Sequence, residues 1–159
     1  MNDMTKEERI KKACDLFLQG FNCSQSVFGA YADDYGIPLD LALRLSASFG
    51  GGIGRTRSTC GAVCGMAMLV GLEEGQTQPG DSLQKQKNYK AVQELMAKVR
   101  EKHGSTQCAE LLKLRADDKV SSVPQARTED YYRTRPCLRM VETAVSLFED
   151  WKLSRTKDI

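Results

Sequence analysis

Six cysteines and a single histidine hold most of the reactive potential of this 159-residue chain. One imidazole, His103, excludes the two- and three-histidine ligand sets of common zinc hydrolases. The cysteines stand at positions 14, 23, 60, 64, 108 and 137, and none forms the C-x2-C knuckle that usually marks a structural zinc site. Dispersed thiolates with almost no imidazole suit a soft centre, and four cysteines are the usual ligand set of an iron–sulfur cluster. A thiolate is also the species that attacks a disulfide. By spacing alone, cluster ligation, thiol exchange and a four-thiolate zinc site all stay open.

The residues around the cysteines narrow this. Cys23 follows the N-cap candidate Asn22, Cys60 follows Thr59, Cys108 lies three residues after Ser105, and Cys137 follows Pro136. Four of the six therefore fall at expected helix starts. First-turn N–H groups lack intrahelical partners and the macrodipole places partial positive charge there, so a thiolate is stabilised. Cys14 falls mid-helix on an apolar side, where a free cysteine packs as a small hydrophobe. Cys64, one turn beyond Cys60, reads as core packing, with an accessory thiol or a resolving partner as the alternatives.

The elements that must position these thiols are helical. Residues 5–19 carry Ile10, Ala13, Cys14, Phe17 and Leu18 at amphipathic spacing, and Gly20 stops them. Further helices are expected from Asn22 to Tyr31, Leu39 to Phe49 and Cys60 to about Leu72, this last rich in small residues and the central element. Asp81-Ser82 heads a long helix ending at His103-Gly104, with Leu83, Tyr89, Val92, Leu95, Met96 and Val99 along one side and His103 as a C-terminal cap. A short helix follows Ser105, and Pro136 opens the last, through Leu138, Val141, Ala144, Val145 and Phe148. No alternating strand pattern occurs, so the chain is read as all-α. The expectation is one domain over residues 1–159, an orthogonal bundle of about seven helices with a Gly-rich loop before the central one.

Residues 116–134 show no period and read as a long loop. Tyr131, Tyr132, Arg133, Arg135 and Arg139 then serve either as a lid over the cysteines or as a surface loop pinned by tyrosines. The run Gly50–Gly54 has no Walker lysine and no preceding strand, which argues against a nucleotide cradle; its glycines instead let the loop approach another backbone and deliver Cys60. Arg55 and Arg57 lie on that approach, available to balance a thiolate or an anionic cluster, although solvent-facing arginine is the default.

Composition sets the surroundings. Twenty-three basic against 21 acidic residues leave +2, giving no strong field for nucleic acid or anionic lipid. The first residues lack the apolar core of a secretory signal, and the stretch from Gly61 to Leu72 falls short of the ~20 residues that span a bilayer. Neither export nor membrane insertion is expected, which leaves the cytoplasm, where thiols are kept reduced and serve as ligands or redox groups more than as structural bridges.

Phe21-Asn22-Cys23-Ser24-Gln25-Ser26, Phe49-Gly50-Gly51-Gly52-Ile53-Gly54-Arg55 and Thr59-Cys60-Gly61-Ala62-Val63-Cys64-Gly65 together resemble the redox-active C-GCAxxG-C-C family. The likeness continues at Cys108-Ala109-Glu110-Leu111-Leu112 and Cys137-Leu138-Arg139-Met140-Val141-Glu142, covering roughly residues 10–148. It implies an all-helical domain with four shared cysteines, here Cys23, Cys60, Cys108 and Cys137. The family is similar to the iron–sulfur-bearing N-terminal part of split-Soret cytochrome, which implies a cluster, although no haem-attachment C-x-x-C-H is present. Cys64 occupies a variable place in the family motif and Cys14 lies outside it. The resulting expectation is a redox protein whose four cysteines ligate an iron–sulfur centre, [2Fe–2S], for electron transfer or redox sensing with a redox protein partner. The alternatives are a thiol–disulfide or sulfur-transfer enzyme with Cys60 as nucleophile, and a structural four-cysteine zinc domain.

Overall fold

A computed structural model describes residues 4–156. Helices account for its architecture: α1 (Lys6–Leu18), α2 (Cys23–Gly29), a 3-10 turn (Ala32–Tyr35), α3 (Leu39–Ala47), α4 (Gly50–Ile53), α5 (Gly61–Glu74), α6 (Ser82–His103), α7 (Cys108–Leu111), α8 (Glu129–Thr134) and α9 (Cys137–Thr156). Among the described residues there is no strand, only an isolated antiparallel bridge between Thr59 and Gln107. The all-α expectation holds, with two short elements beyond the seven expected. One is α4, a single turn in the Gly-rich loop. The other is α8 inside the stretch read as loop, where Thr128 accepts a hydrogen bond from the Tyr131 N–H and Glu129 and Asp130 suit the helix N-terminus.

The hydrophobic helix α5 lies at the centre, burying Ala62, Val63, Met66, Leu69 and Val70 against α2, α6 and α9. A methyl on Gly65 would stand 3.0 Å from the Ser24 carbonyl and 3.1 Å from Val27 Cβ, so glycine sets how closely α2 and α5 approach. On the far side, α9 contributes Met140, Val141, Ala144, Val145 and Phe148, all buried. Tyr31 packs edge-on to Phe148 and donates its hydroxyl hydrogen to Glu149 at 3.1 Å.

Two amphipathic faces differ from the sequence pattern. In α1 the buried residues are Arg9, Ala13, Leu16 and Phe17, so the inner face is rotated and Leu18 is half exposed. The cause is Arg9, only 2% exposed, which stacks 4.5 Å over the Tyr31 ring, donates to the Ala30 carbonyl and pairs with Asp34 at 2.7 Å. In α6 only Ala91, Leu95 and Val99 are buried, while Leu83 and Tyr89 face solvent because the first turns of this long helix run past the core.

Candidate functional site

Each of the four family cysteines opens a helix. Cys23 is the first residue of α2, whose N-cap Asn22 and Gln25 form a reciprocal capping box. Cys60 is itself the N-cap of α5, a position expected for Thr59. Cys108 begins α7 and Cys137 begins α9. Cys60 and Cys108 are brought side by side by the Thr59–Gln107 bridge: the Cys60 N–H donates to the Thr106 carbonyl at 2.8 Å and the Cys108 N–H to the Ser58 carbonyl at 2.7 Å.

All four line one cavity of about 60 Å³. Phe17, Tyr131 and Met140 close it with apolar surface, and Arg57, Arg127 and Arg135 bring three guanidinium groups to its wall. Cys23, Cys60 and Cys108 are each less than a tenth exposed, and Cys137 is half-buried.

The Gly-rich segment explains how the loop fits under the thiols. Gly51, Gly52, Ile53, Gly54 and Arg55 run consecutively through left-handed backbone, φ between 60° and 73°, so α4 is closed by α-type bonding at Phe49–Ile53 yet turns the opposite way inside. Any side chain with a Cβ is disfavoured in that conformation. The turn presses Gly52 against Cys108, where an added Cβ would lie 2.6 Å from Cys108 Cβ. At the start of α5, a Cβ on Gly61 would lie 2.6 Å from Cys23 Sγ. Both glycines form a cradle that side chains would fill.

Cys23 and Cys60 shift each other's acidity in opposite directions. Hydrogen bonding from the Cys60 thiol, reinforced by backbone N–H groups of Gly51, Ser24 and Ala62, holds the Cys23 thiol down to about 6 in spite of its burial. Cys60 is driven the other way, first by that same bond to Cys23, then by burial. Of the two, Cys23 is the one whose thiolate the surroundings favour. Burial pushes Cys137 up to about 11, with Arg135 and Arg127 opposing, and it also raises Cys108, which receives a hydrogen bond from the Arg57 guanidinium at 3.6 Å.

Cys64 does not line the cavity; its thiol faces the Thr59 carbonyl at 3.8 Å and burial raises it to about 11. Cys14 packs against the core and is likewise raised to about 11 by burial. Of the two accessory arginines, Arg57 reaches the cavity, whereas Arg55 turns outward to donate to the Ser121 carbonyl at 2.6 Å. The segment after residue 126 does cover the thiols, through Tyr131 and Arg135.

Arg127 was not singled out in the sequence. It donates to the Phe17 and Phe21 carbonyls at 3.0 and 2.9 Å and stacks 4.4 Å over the Phe17 ring and 4.9 Å over Tyr131. An arginine in an aperiodic stretch gives no signal of this, because its partners are carbonyls and a ring of residues more than a hundred positions away.

His103 lies outside the site and is not the expected cationic cap. Its Nε2 is 2.7 Å from Thr143 Oγ1 on α9, and burial, with Lys102 and Arg139 nearby, lowers its pKa. A folded-state value below the unfolded ~6.5 means the unfolded chain binds more protons between the two, so stability falls as pH drops through that window. The urea midpoint of the native protein is expected to fall more between pH 7 and 5.5 than that of His103→Gln. Parallel profiles in the two proteins would contradict a neutral His103.

Among the described residues, no three histidine, cysteine, aspartate or glutamate side chains lie close enough to hold a single metal ion. No helix there is long and apolar enough to cross a membrane. What fold and site define together is a helical protein built around a cationic pocket of four thiols. The sequence matches the model of the family described as "Putative redox-active protein (C_GCAxxG_C_C)" over residues 21–151, and the chain belongs to that family. No curated protein and no solved structure matches it.

Proposed function

We propose that Cys23, Cys60, Cys108 and Cys137 ligate an iron–sulfur cluster, [2Fe–2S], and that the protein works in electron transfer or redox sensing with a protein partner in the reducing cytoplasm. The observation that carries this is the convergence of four helix-initial cysteines on one enclosed cavity whose wall bears three guanidinium groups. The donor set fits the group: four thiols, no imidazole, and glycines whose missing side chains let the backbone close on Cys108 and on the Cys23 sulfur. When bound, the cluster would supply one-electron chemistry. Around it, Arg57, Arg127 and Arg135 would offset negative charge on the thiolates, backbone N–H groups of Gly51, Ser24 and Ala62 favour the thiolate form of Cys23, and Phe17, Tyr131 and Met140 exclude water.

Anaerobic purification followed by iron and acid-labile sulfide analysis tests this. About two irons and two sulfides per chain with visible absorption are expected, lost in Ser variants of the four cysteines and kept in Cys14→Ser and Cys64→Ser. A colourless, metal-free protein, with all four Ser variants as stable as the parent, would remove the proposal.

Thiol–disulfide exchange is favoured by the lowered Cys23 thiol, which points to Cys23 in place of the expected Cys60 as its nucleophile. It predicts turnover of a disulfide without metal. A zinc domain needs four sulfurs about 3.8 Å apart around one ion, which no group among the described residues approaches.

A further inference from the structure

Behind the thiol cavity lies a second, larger concavity of about 420 Å³, open to solvent. Leu111, Leu112, Arg135 and Pro136 line both, so a single layer of side chains separates the groove from the cysteines. Its outer wall carries Lys113, Arg133 and Arg139, all exposed, and no carboxylate lines it. Asp130 pairs with Arg133, while Lys113, Arg135 and Arg139 have no carboxylate partner among the described residues. On a chain of net charge +2, four cations around one groove are a local concentration that the rest of the molecule balances.

We propose that this groove binds a small organic anion with an apolar body. Its volume falls in the range of roughly 300–1,000 Å³ typical of small-molecule sites. The half-buried floor of Leu111, Leu112 and Pro136 suits hydrocarbon or a ring, and the rim supplies the charge-assisted donors that a carboxylate, phosphate or sulfonate requires. A flat acidic protein face would meet the rim cations but leave that floor uncovered. The bound molecule would sit against the outer wall of the thiol pocket, the position of a reactant or effector of the redox site, yet its binding does not depend on what the four sulfurs hold.

The probe is 8-anilinonaphthalene-1-sulfonate, an anion with an aromatic body, titrated by fluorescence, with the uncharged N-phenyl-1-naphthylamine as its neutral counterpart. One saturable site is expected. The double variant Lys113→Glu/Arg139→Glu should weaken sulfonate binding by about tenfold or more, leave the neutral dye unaffected, and keep native helicity because both residues are exposed. Lys113→Arg/Arg139→Lys should bind as the parent does, which separates loss of charge from loss of fold. Binding that is non-saturable, or equally tight after charge reversal, overturns the proposal. So does binding abolished by Leu41→Lys/Leu45→Lys, which would place the dye on the exposed leucines of α3. Because none of these readouts involves iron, failure here leaves the cluster assignment standing, and failure of the cluster leaves this one testable.

Discussion

Alanine at position 52 is expected to destabilise the protein by about 3 kcal/mol or more, through backbone strain and overpacking together. Gly52 has φ +73°, and its added Cβ would meet Cys108 Cβ at 2.6 Å, the Ser58 nitrogen at 2.7 Å and the Arg57 carbonyl carbon at 2.8 Å. Two of these are backbone atoms that cannot rotate away. Relief requires the Arg57–Ser58 segment to move off Cys108, which also breaks the 2.7 Å bond from the Cys108 N–H to the Ser58 carbonyl and withdraws Arg57 from the cavity. Gly54 is the matched control. Its φ is +60° but nothing lies within 4 Å of a new Cβ, so Gly54→Ala should cost only the left-handed strain, about 1–2 kcal/mol. Urea midpoints of the two variants decide the matter, together with the rate at which a maleimide labels Cys108, which should rise in Gly52→Ala alone. Equal stabilities would mean that the close approach at Gly52 is not a constraint.

The second large effect lies at Arg9, in the first half of α1. Asp34→Ala is expected to cost about 3–5 kcal/mol, because it strands the guanidinium of Arg9 in the core without its counter-charge. Arg9 is 2% exposed, and its Nε already lacks a hydrogen-bond partner, so little water is available to replace the carboxylate. Arg9→Met should be milder. It leaves Asp34 on the rim, where its side chain is 17% exposed and can be hydrated, and the thioether replaces most of the buried stem. A double-mutant cycle in urea checks the asymmetry. If Arg9→Met proves the more damaging, the stacking on Tyr31 and the bond to the Ala30 carbonyl outweigh the ion pair.

Local chemistry made much of this legible. Asn22, Pro136 and the glycines after α1 and α6 are punctuation that acts within a few residues, and they were enough to put Cys23 and Cys137 at helix starts. Tertiary pairing is a different matter. Thr59 is expected to cap α5, but it pairs opposite Gln107 in a bridge held by the residues on either side, a partner that no periodicity identifies, and Cys60 takes the cap. The face of α1 was misplaced by one residue because an arginine on the inner side contradicts hydrophobic patterning unless its stacking and pairing partners are known. The capped turn at Thr128–Thr134 carried a readable signal, Thr followed by two acids, that a search for long periods passes over. Arg127 carried none, since its role comes from carbonyls and rings of α1 far away in the chain.

The order in which the four sulfurs arrive has its own consequence. Cys137 is the first residue of α9, and that helix also supplies one wall of the core. A nascent chain cannot close the pocket until α9 has been synthesised, because the fourth sulfur comes with it. Whatever occupies that pocket can be enclosed only once α9 has been made and has packed against the helices before it.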